Sequence, residues 1–138
     1  MNAATGSRPR RHLAVALMGL ALGCGAAQAA QHCVSTGTQL ANALNSAASN
    51  NQDDEIRIVA TTLSGTSNPV GNPRWGFTPG ANDLDKNLTI TGGWSSGNNC
   101  NSQISTDPSD TVLDSNFSGR ALQFQVLTGP FEGDVVLR

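Results

Sequence analysis

Four groups of residues in this 138-residue chain are of types that do chemistry. Asp107, Asp110 and Asp114 form the first. A glycosidase needs two carboxylates held a fixed distance apart, and Asp110 and Asp114 flank the short run Thr111-Val112-Leu113. Acidic residues at turns more often cap backbone amides, so no catalytic residue is assigned. Trp75 and Phe77 form the second group, candidates for ligand binding because a sugar ring stacks its apolar C–H face on an aromatic ring. The alternative is that both fold back to cover a core. That alternative is preferred, since exposed aromatics on a long loop are a liability. Trp94 is a further stacking candidate, although a position after Gly92-Gly93 suits packing on a helix or a disulfide.

Asp53-Asp54-Glu55 is the third group. Hard cations take carboxylate oxygens, but the spacing fits no calcium loop, and three adjacent acids mark a solvated turn. No metal and no other cofactor is assigned. Cys33 and Cys100 are the fourth. Neighbouring His32 reads as a solvated residue near a new N-terminus.

The cysteines take their meaning from the compartment. Residues 1–12 carry Arg8, Arg10 and Arg11 and no acid, residues 13–26 are uncharged and apolar, and Ala27-Gln28-Ala29 has the small-x-small form of a signal-peptidase site. Residues 1–29 are therefore expected to be a signal peptide, with a core too short for a stable membrane span. The protein is expected outside the bacterial cytoplasm, secreted or at the cell surface. There, Cys33 and Cys100 remain, and two cysteines in an exported protein most often form a disulfide; two free thiols or an intermolecular bridge are the alternatives.

Charge excludes one class of partner. Without the leader, Arg57, Arg74, Lys86, Arg120 and Arg138 stand against ten acidic residues, a net charge of about −5. No basic patch remains to bind nucleic acid. Composition points to short strands and polar turns: aromatics are 4%, tyrosine is absent and glycine numbers 15.

The elements that would position these residues follow from periodicity. Over residues 36–48, Leu40, Ala43, Leu44 and Ala47 recur at helical spacing, with Thr36 or Thr38 as cap. Strands are expected at residues 56–60, 87–91, 111–114, 121–126 and from 134. Gly92-Gly93 is expected to stop the second of them and Ser118-Gly119 to form a turn. Residues 61–84 read as a long polar loop. The expected core is Ile56, Ile58, Leu88, Ile90, Val112, Leu113, Leu122 and Phe124. Strand starts share no single period, so an antiparallel sandwich would also satisfy the pattern.

The order of these segments resembles something more definite. Gln39-Leu40-Ala41-Asn42-Ala43-Leu44, Asp53-Asp54-Glu55-Ile56-Arg57-Ile58, Leu88-Thr89-Ile90-Thr91-Gly92-Gly93-Trp94, Asp107 to Asp114, and Ser118-Gly119-Arg120-Ala121-Leu122 are similar to the N-terminal region of bacterial secreted right-handed parallel β-helix repeat proteins of the pectate-lyase-like superfamily. The resemblance implies an all-β fold with a short N-terminal capping helix: a signal peptide at 1–29, an N-terminal segment and capping helix at 30–52, and the first rungs of a parallel β-helix at 53–138. It also implies further rungs beyond Arg138, with an open C-terminal edge prone to self-association. The expected function is a non-catalytic, exported β-helix segment of a surface or extracellular protein. The alternatives are the front end of a polysaccharide lyase or hydrolase whose catalytic rungs lie elsewhere, and a carbohydrate-binding module. A polysaccharide or cell-surface glycan is the expected partner.

Overall fold

Thr36 begins the only α-helix among the described residues. Its hydroxyl accepts from the Gln39 amide at 3.2 Å, while the Gln39 side-chain oxygen accepts from the Thr36 amide at 3.1 Å, a reciprocal capping box. Helix α1, Gly37–Ala47, then buries Leu40, Ala43, Leu44 and Ala47, the face expected from their spacing. The computed structural model describes residues 29–65, 75–97, 99–116, 120–127 and 129–138. The signal-peptide expectation, apart from Ala29, lies outside these residues, as do residues 66–74 of the expected loop and the Ser118-Gly119 turn.

The rest is mostly short strands in parallel sheets. In chain order they are β1 Ala30–Val34, before α1, then β2 Asp54–Val59, β3 Thr62–Ser64, β4 Trp75–Phe77, β5 Leu88–Trp94, β6 Val112–Asp114, β7 Leu122–Phe124 and β8 Val135–Leu137. One sheet has the order β1-β2-β5-β8, a second pairs β3 with β6, and a third pairs β4 with β7. Every pairing is parallel. The chain thus visits the three sheets in turn at β2-β3-β4, repeats the order at β5-β6-β7, and returns to the first sheet at β8. No antiparallel sandwich is present among the described residues; the one antiparallel contact is an isolated bridge between Trp94 and Gln103.

Stacked side chains build the core. Ile56 lies beside Ile90 and then Leu137, Leu63 beside Leu113, Trp75 beside Leu122, and Phe77 beside Phe124. The entry to the first sheet is laced by side chains as well. Asp53 Oδ1 accepts from the Asn87 amide at 2.8 Å, and Asn87 Oδ1 accepts from the Asp134 amide at 2.9 Å. Helix α1 lies over β4: the Trp75 indole N–H donates to the Gly37 carbonyl at 2.8 Å, and a Cβ at Gly37 would sit 2.5 Å from the Ser64 carbonyl oxygen.

Several expectations are corrected. β1 was not foreseen, and residues 61–84 are not one loop, since they contain β3 and β4. Three-residue strands are too short to show a period of two. Gly92-Gly93 does not end β5, which continues to Trp94 with a register shift opposite Arg57 to Val59. The glycines serve close approach instead. Gly93 has φ +77°, and a Cβ there would meet the Ser105 carbonyl oxygen; one at Gly92 would lie 2.8 Å from Thr111. Of the expected core, Ile56, Ile58, Leu88 and Ile90 are buried, and Leu113 and Leu122 are half-buried. Val112 is 42% exposed because the β3–β6 register sets it beside exposed Thr62 and puts Leu113 over buried Leu63. Phe124 is 38% exposed because it ends its column, with Phe77 on one side and no described strand on the other. Among the described residues no helix is long and apolar enough to cross a membrane.

Candidate functional site

Alternation along a strand divides the first sheet into an inner and an outer face. Ile56, Ile58, Leu88 and Ile90 point in. Gln31, Glu55 and Thr89 occupy one outer row and Cys33, Arg57 and Thr91 the next. The outer rows are polar, and they are tied together. Glu55 Oε2 accepts from Arg57 Nη2 at 2.8 Å and from Gln31 Nε2 at 3.1 Å. The Arg57 hydrogen bond, reinforced by Gln31 and opposed by partial burial, holds the Glu55 carboxyl below its usual range, so Glu55 is ionised at neutral pH.

The segment after β5 folds back over this face. Ser95 N–H donates to the Ser102 carbonyl, and the Ile104 and Ser105 amides both donate to the Gly93 carbonyl. Cys100, fully buried, is bonded to Cys33 with their Cα atoms 5.5 Å apart, so the expected disulfide is intramolecular. Arg57 Nη1 donates to the Cys100 carbonyl at 3.1 Å, and its guanidinium carbon lies 4.1 Å from the Trp94 ring centroid. Arg57 is thereby clamped between the sheet, the aromatic ring and the disulfide, although its buried Nε has no hydrogen-bond partner among the described residues.

Between the sheet and the returning segment lies a groove of about 550 Å³, lined among others by Glu55, Thr91, Trp94, Gln103, Asp107 and Arg138. The Trp94 indole N–H donates to Thr91 Oγ1 at 2.8 Å, which fixes the ring at the groove wall. Gln103 is oriented by donating to the Gly92 carbonyl at 3.0 Å. The groove offers a ring, two carboxylates, a guanidinium and several hydroxyl and amide groups. It suits a polar, hydrogen-bonding ligand better than proton transfer, because its carboxylates are engaged. Glu55 holds Arg57, and Asp107 accepts from the amide and hydroxyl of Ser109 at 2.9 and 2.7 Å, which lowers its carboxyl below the ordinary value.

The structure separates the residues singled out in sequence. Asp107 caps the 3-10 turn Pro108–Asp110, and Asp114 accepts from the Asn116 amide at 2.7 Å. Trp75 is 2% exposed and Phe77 4%, so neither presents the ring face that sugar stacking requires. Phe77 meets Phe124 edge-on with ring centroids 6.1 Å apart. Trp94, expected against a helix or the disulfide, lines the groove and packs against Arg57, whose guanidinium also donates to the carbonyl of the bridged Cys100. Asp53-Asp54-Glu55 is not a solvated turn: Asp54 opens β2 and is buried. Its Oδ1 accepts from Asn50 Nδ2 at 2.9 Å and lies 3.0 Å from His32 Nε2, so His32 is a half-buried partner of a buried carboxylate rather than a solvated residue. Among the described residues, no three of His, Cys, Asp and Glu gather into a metal-binding group. The overlooked site residues are Arg57 and Gln103. Arg57 had a visible signal, since Glu55-Ile56-Arg57-Ile58 alternates and sets opposite charges two apart on one strand face.

No protein-family model, no curated protein and no solved structure matches this chain.

Proposed function

We propose that this chain is an exported, non-catalytic segment of a right-handed parallel β-helix, serving as a structural module of a bacterial surface or extracellular protein. One observation carries the proposal: the chain passes through three parallel sheets in the same order twice and then re-enters the first. Stacked strands of this kind bury a continuous column of side chains with α1 closing one end. The disulfide supports an oxidising location, as does the signal-peptide pattern of residues 1–29. The engagement of Asp107 and Asp114 in turns favours this reading over the front end of a polysaccharide lyase or hydrolase.

Expression of the full precursor in a bacterium, with fractionation and intact-mass analysis, tests export. A mature chain starting at Ala30 and carrying one disulfide is expected; a retained leader in the cytoplasm contradicts the proposal. An activity screen on uronic-acid polymers, with and without calcium, should detect no turnover.

The groove favours a second reading, a carbohydrate-binding module that uses Trp94 in place of Trp75 and Phe77. A glycan array compares the wild type with Trp94→Ala. Binding lost in the variant supports this reading, and an array without signal removes it.

A further inference from the structure

We propose that the bridge between Cys33 and Cys100 is a redox latch: a dithiol opens it, and its opening frees the Arg57 guanidinium from the Trp94 wall of the groove. The inference rests on the groove of the second reading and names its regulation, not its ligand. The segment that returns over the sheet is fastened at its base and at its tip. The base is held by backbone and amide bonds: Ser95 N–H donates to the Ser102 carbonyl, the Ile104 and Ser105 amides to the Gly93 carbonyl, and Gln103 Nε2 to the Gly92 carbonyl. The tip is tied to the sheet through Cys100. Its sulfur is bonded to Cys33 on β1 and lies 3.6 Å from the Arg57 carbonyl oxygen, and its own carbonyl accepts from Arg57 Nη1 at 3.1 Å. Asn99 and Cys100 both have positive φ, +53° and +56°. Residues with side chains disfavour this left-handed backbone, so the tip keeps it while the bridge holds Cys100 against the sheet.

The chemistry is a two-electron exchange. Cys100 is fully buried and Cys33 half-buried, so Cys33 presents the sulfur that a reductant reaches. One thiolate of the dithiol attacks Cys33 Sγ, the S–S bond breaks, and Cys100 leaves as a thiolate that takes up a proton. The second thiol of the dithiol, as its thiolate, then displaces Cys33 from the mixed disulfide. Two protein thiols and one oxidised reductant result, and an oxidised dithiol runs the exchange in reverse. With the bridge open, the tip relaxes out of its left-handed backbone and carries the Cys100 carbonyl away from Arg57. Glu55 still holds the guanidinium through the 2.8 Å bond from Nη2. Arg57 therefore swings toward Glu55 and off the indole, over which it now sits 4.1 Å from the ring centroid. The bonds to Gly92 and Gly93 do not involve the tip, so the stack and the base of the segment stay in place. The groove wall is set in the oxidised chain and slack in the reduced one.

Acrylamide quenching of tryptophan fluorescence, on the mature chain with and without dithiothreitol, decides the matter. The chain has two tryptophans, and Trp75 is 2% exposed, so a change in quenching reads Trp94. Reduction is expected to leave both cysteines open to alkylation by intact mass and to preserve the far-ultraviolet circular dichroism. It should also shift the emission to the red and raise the quenching constant. Cys33→Ser/Cys100→Ser should show the same fluorescence without reductant. Oxidised Arg57→Met should show it too, and reduction of that variant should add little, because the bridge acts on Trp94 through Arg57. A bridge that the dithiol does not open in the folded chain overturns the proposal. So does fluorescence unchanged by reduction, loss of the circular dichroism on reduction, or a reduced Arg57→Met that shifts as far as the wild type. Where Arg57→Met does not fold, the comparison of oxidised and reduced wild type decides alone. The readout is the Trp94 ring rather than a ligand, so the outcome is independent of the glycan array.

Discussion

The central guanidinium carbon of Arg57 lies over the Trp94 ring, 4.1 Å from its centroid, reaching this position from the outer face of β2 while Trp94 ends β5. Neither residue could hold the other without the register shift that lets β5 run past Gly92-Gly93.

Arg57→Ala should destabilise the fold by about 1–3 kcal/mol, from loss of the cation–π contact and of the charged hydrogen bonds to Glu55 and the Cys100 carbonyl. Arg57→Lys should recover only part of this, because an ammonium cannot reproduce the planar fork. Urea unfolding followed by tryptophan fluorescence measures both. A loss within about 0.5 kcal/mol for Arg57→Ala, typical of a surface position, would show that the clamp contributes nothing.

Reduction should lower stability substantially. The bridge between Cys33 and Cys100 spans 67 residues, and closing a loop of that length is worth roughly 4 kcal/mol in the chain-entropy model, an upper figure because real bridges often give less. Melting with and without a phosphine reductant is the measurement. Equal transition temperatures would contradict the expectation.

Ile90→Ala and Val112→Ala should differ sharply although both replace β-branched apolar residues in strands. Ile90, buried between Ile56 and Leu137, should cost about 2–5 kcal/mol through the cavity it leaves. Val112 points outward and should stay within about 0.5 kcal/mol. Similar losses at the two positions would mean that the β3–β6 register is wrong.

Acid should erode the contribution of Glu55. Its carboxyl is lowered from 4.5 in the folded chain, chiefly by the Arg57 hydrogen bond. The folded state therefore binds fewer protons near that pH than the unfolded state does. The stabilisation is fully present above the unfolded value and is lost as pH falls through the lower, folded one. Unfolding of wild type and Glu55→Gln over a pH series should give a stability gap that is constant from neutrality to about pH 5 and shrinks below it. A gap that holds to strongly acid pH would assign the Glu55 contribution to packing rather than to charge.

Part of this molecule was legible from local pattern alone. Helix α1 could be read because its cap, its four buried positions and its end all lie within thirteen residues, and each acts through neighbours in sequence. The alternations at Ile56 and Ile58 and at Leu88 and Ile90 placed two strands of the first sheet, and the cysteine count gave a pair to be joined. The decisions left to tertiary structure were those of register and neighbourhood. Val112 and Leu113 are adjacent and both apolar, so only the pairing with Thr62 and Leu63 determines which faces inward. Trp75 and Phe77 are aromatic on any reading, and it is α1 and Phe124 that cover them. The groove could not be read because it joins Glu55, Trp94 and Asp107 from separate parts of the chain, brought together by parallel pairing and by the bridge from Cys33 to Cys100. Local sequence sets what a residue prefers within a few neighbours. Contacts across tens of residues depend on which strands stack, and that is settled by the shared burial of the whole column.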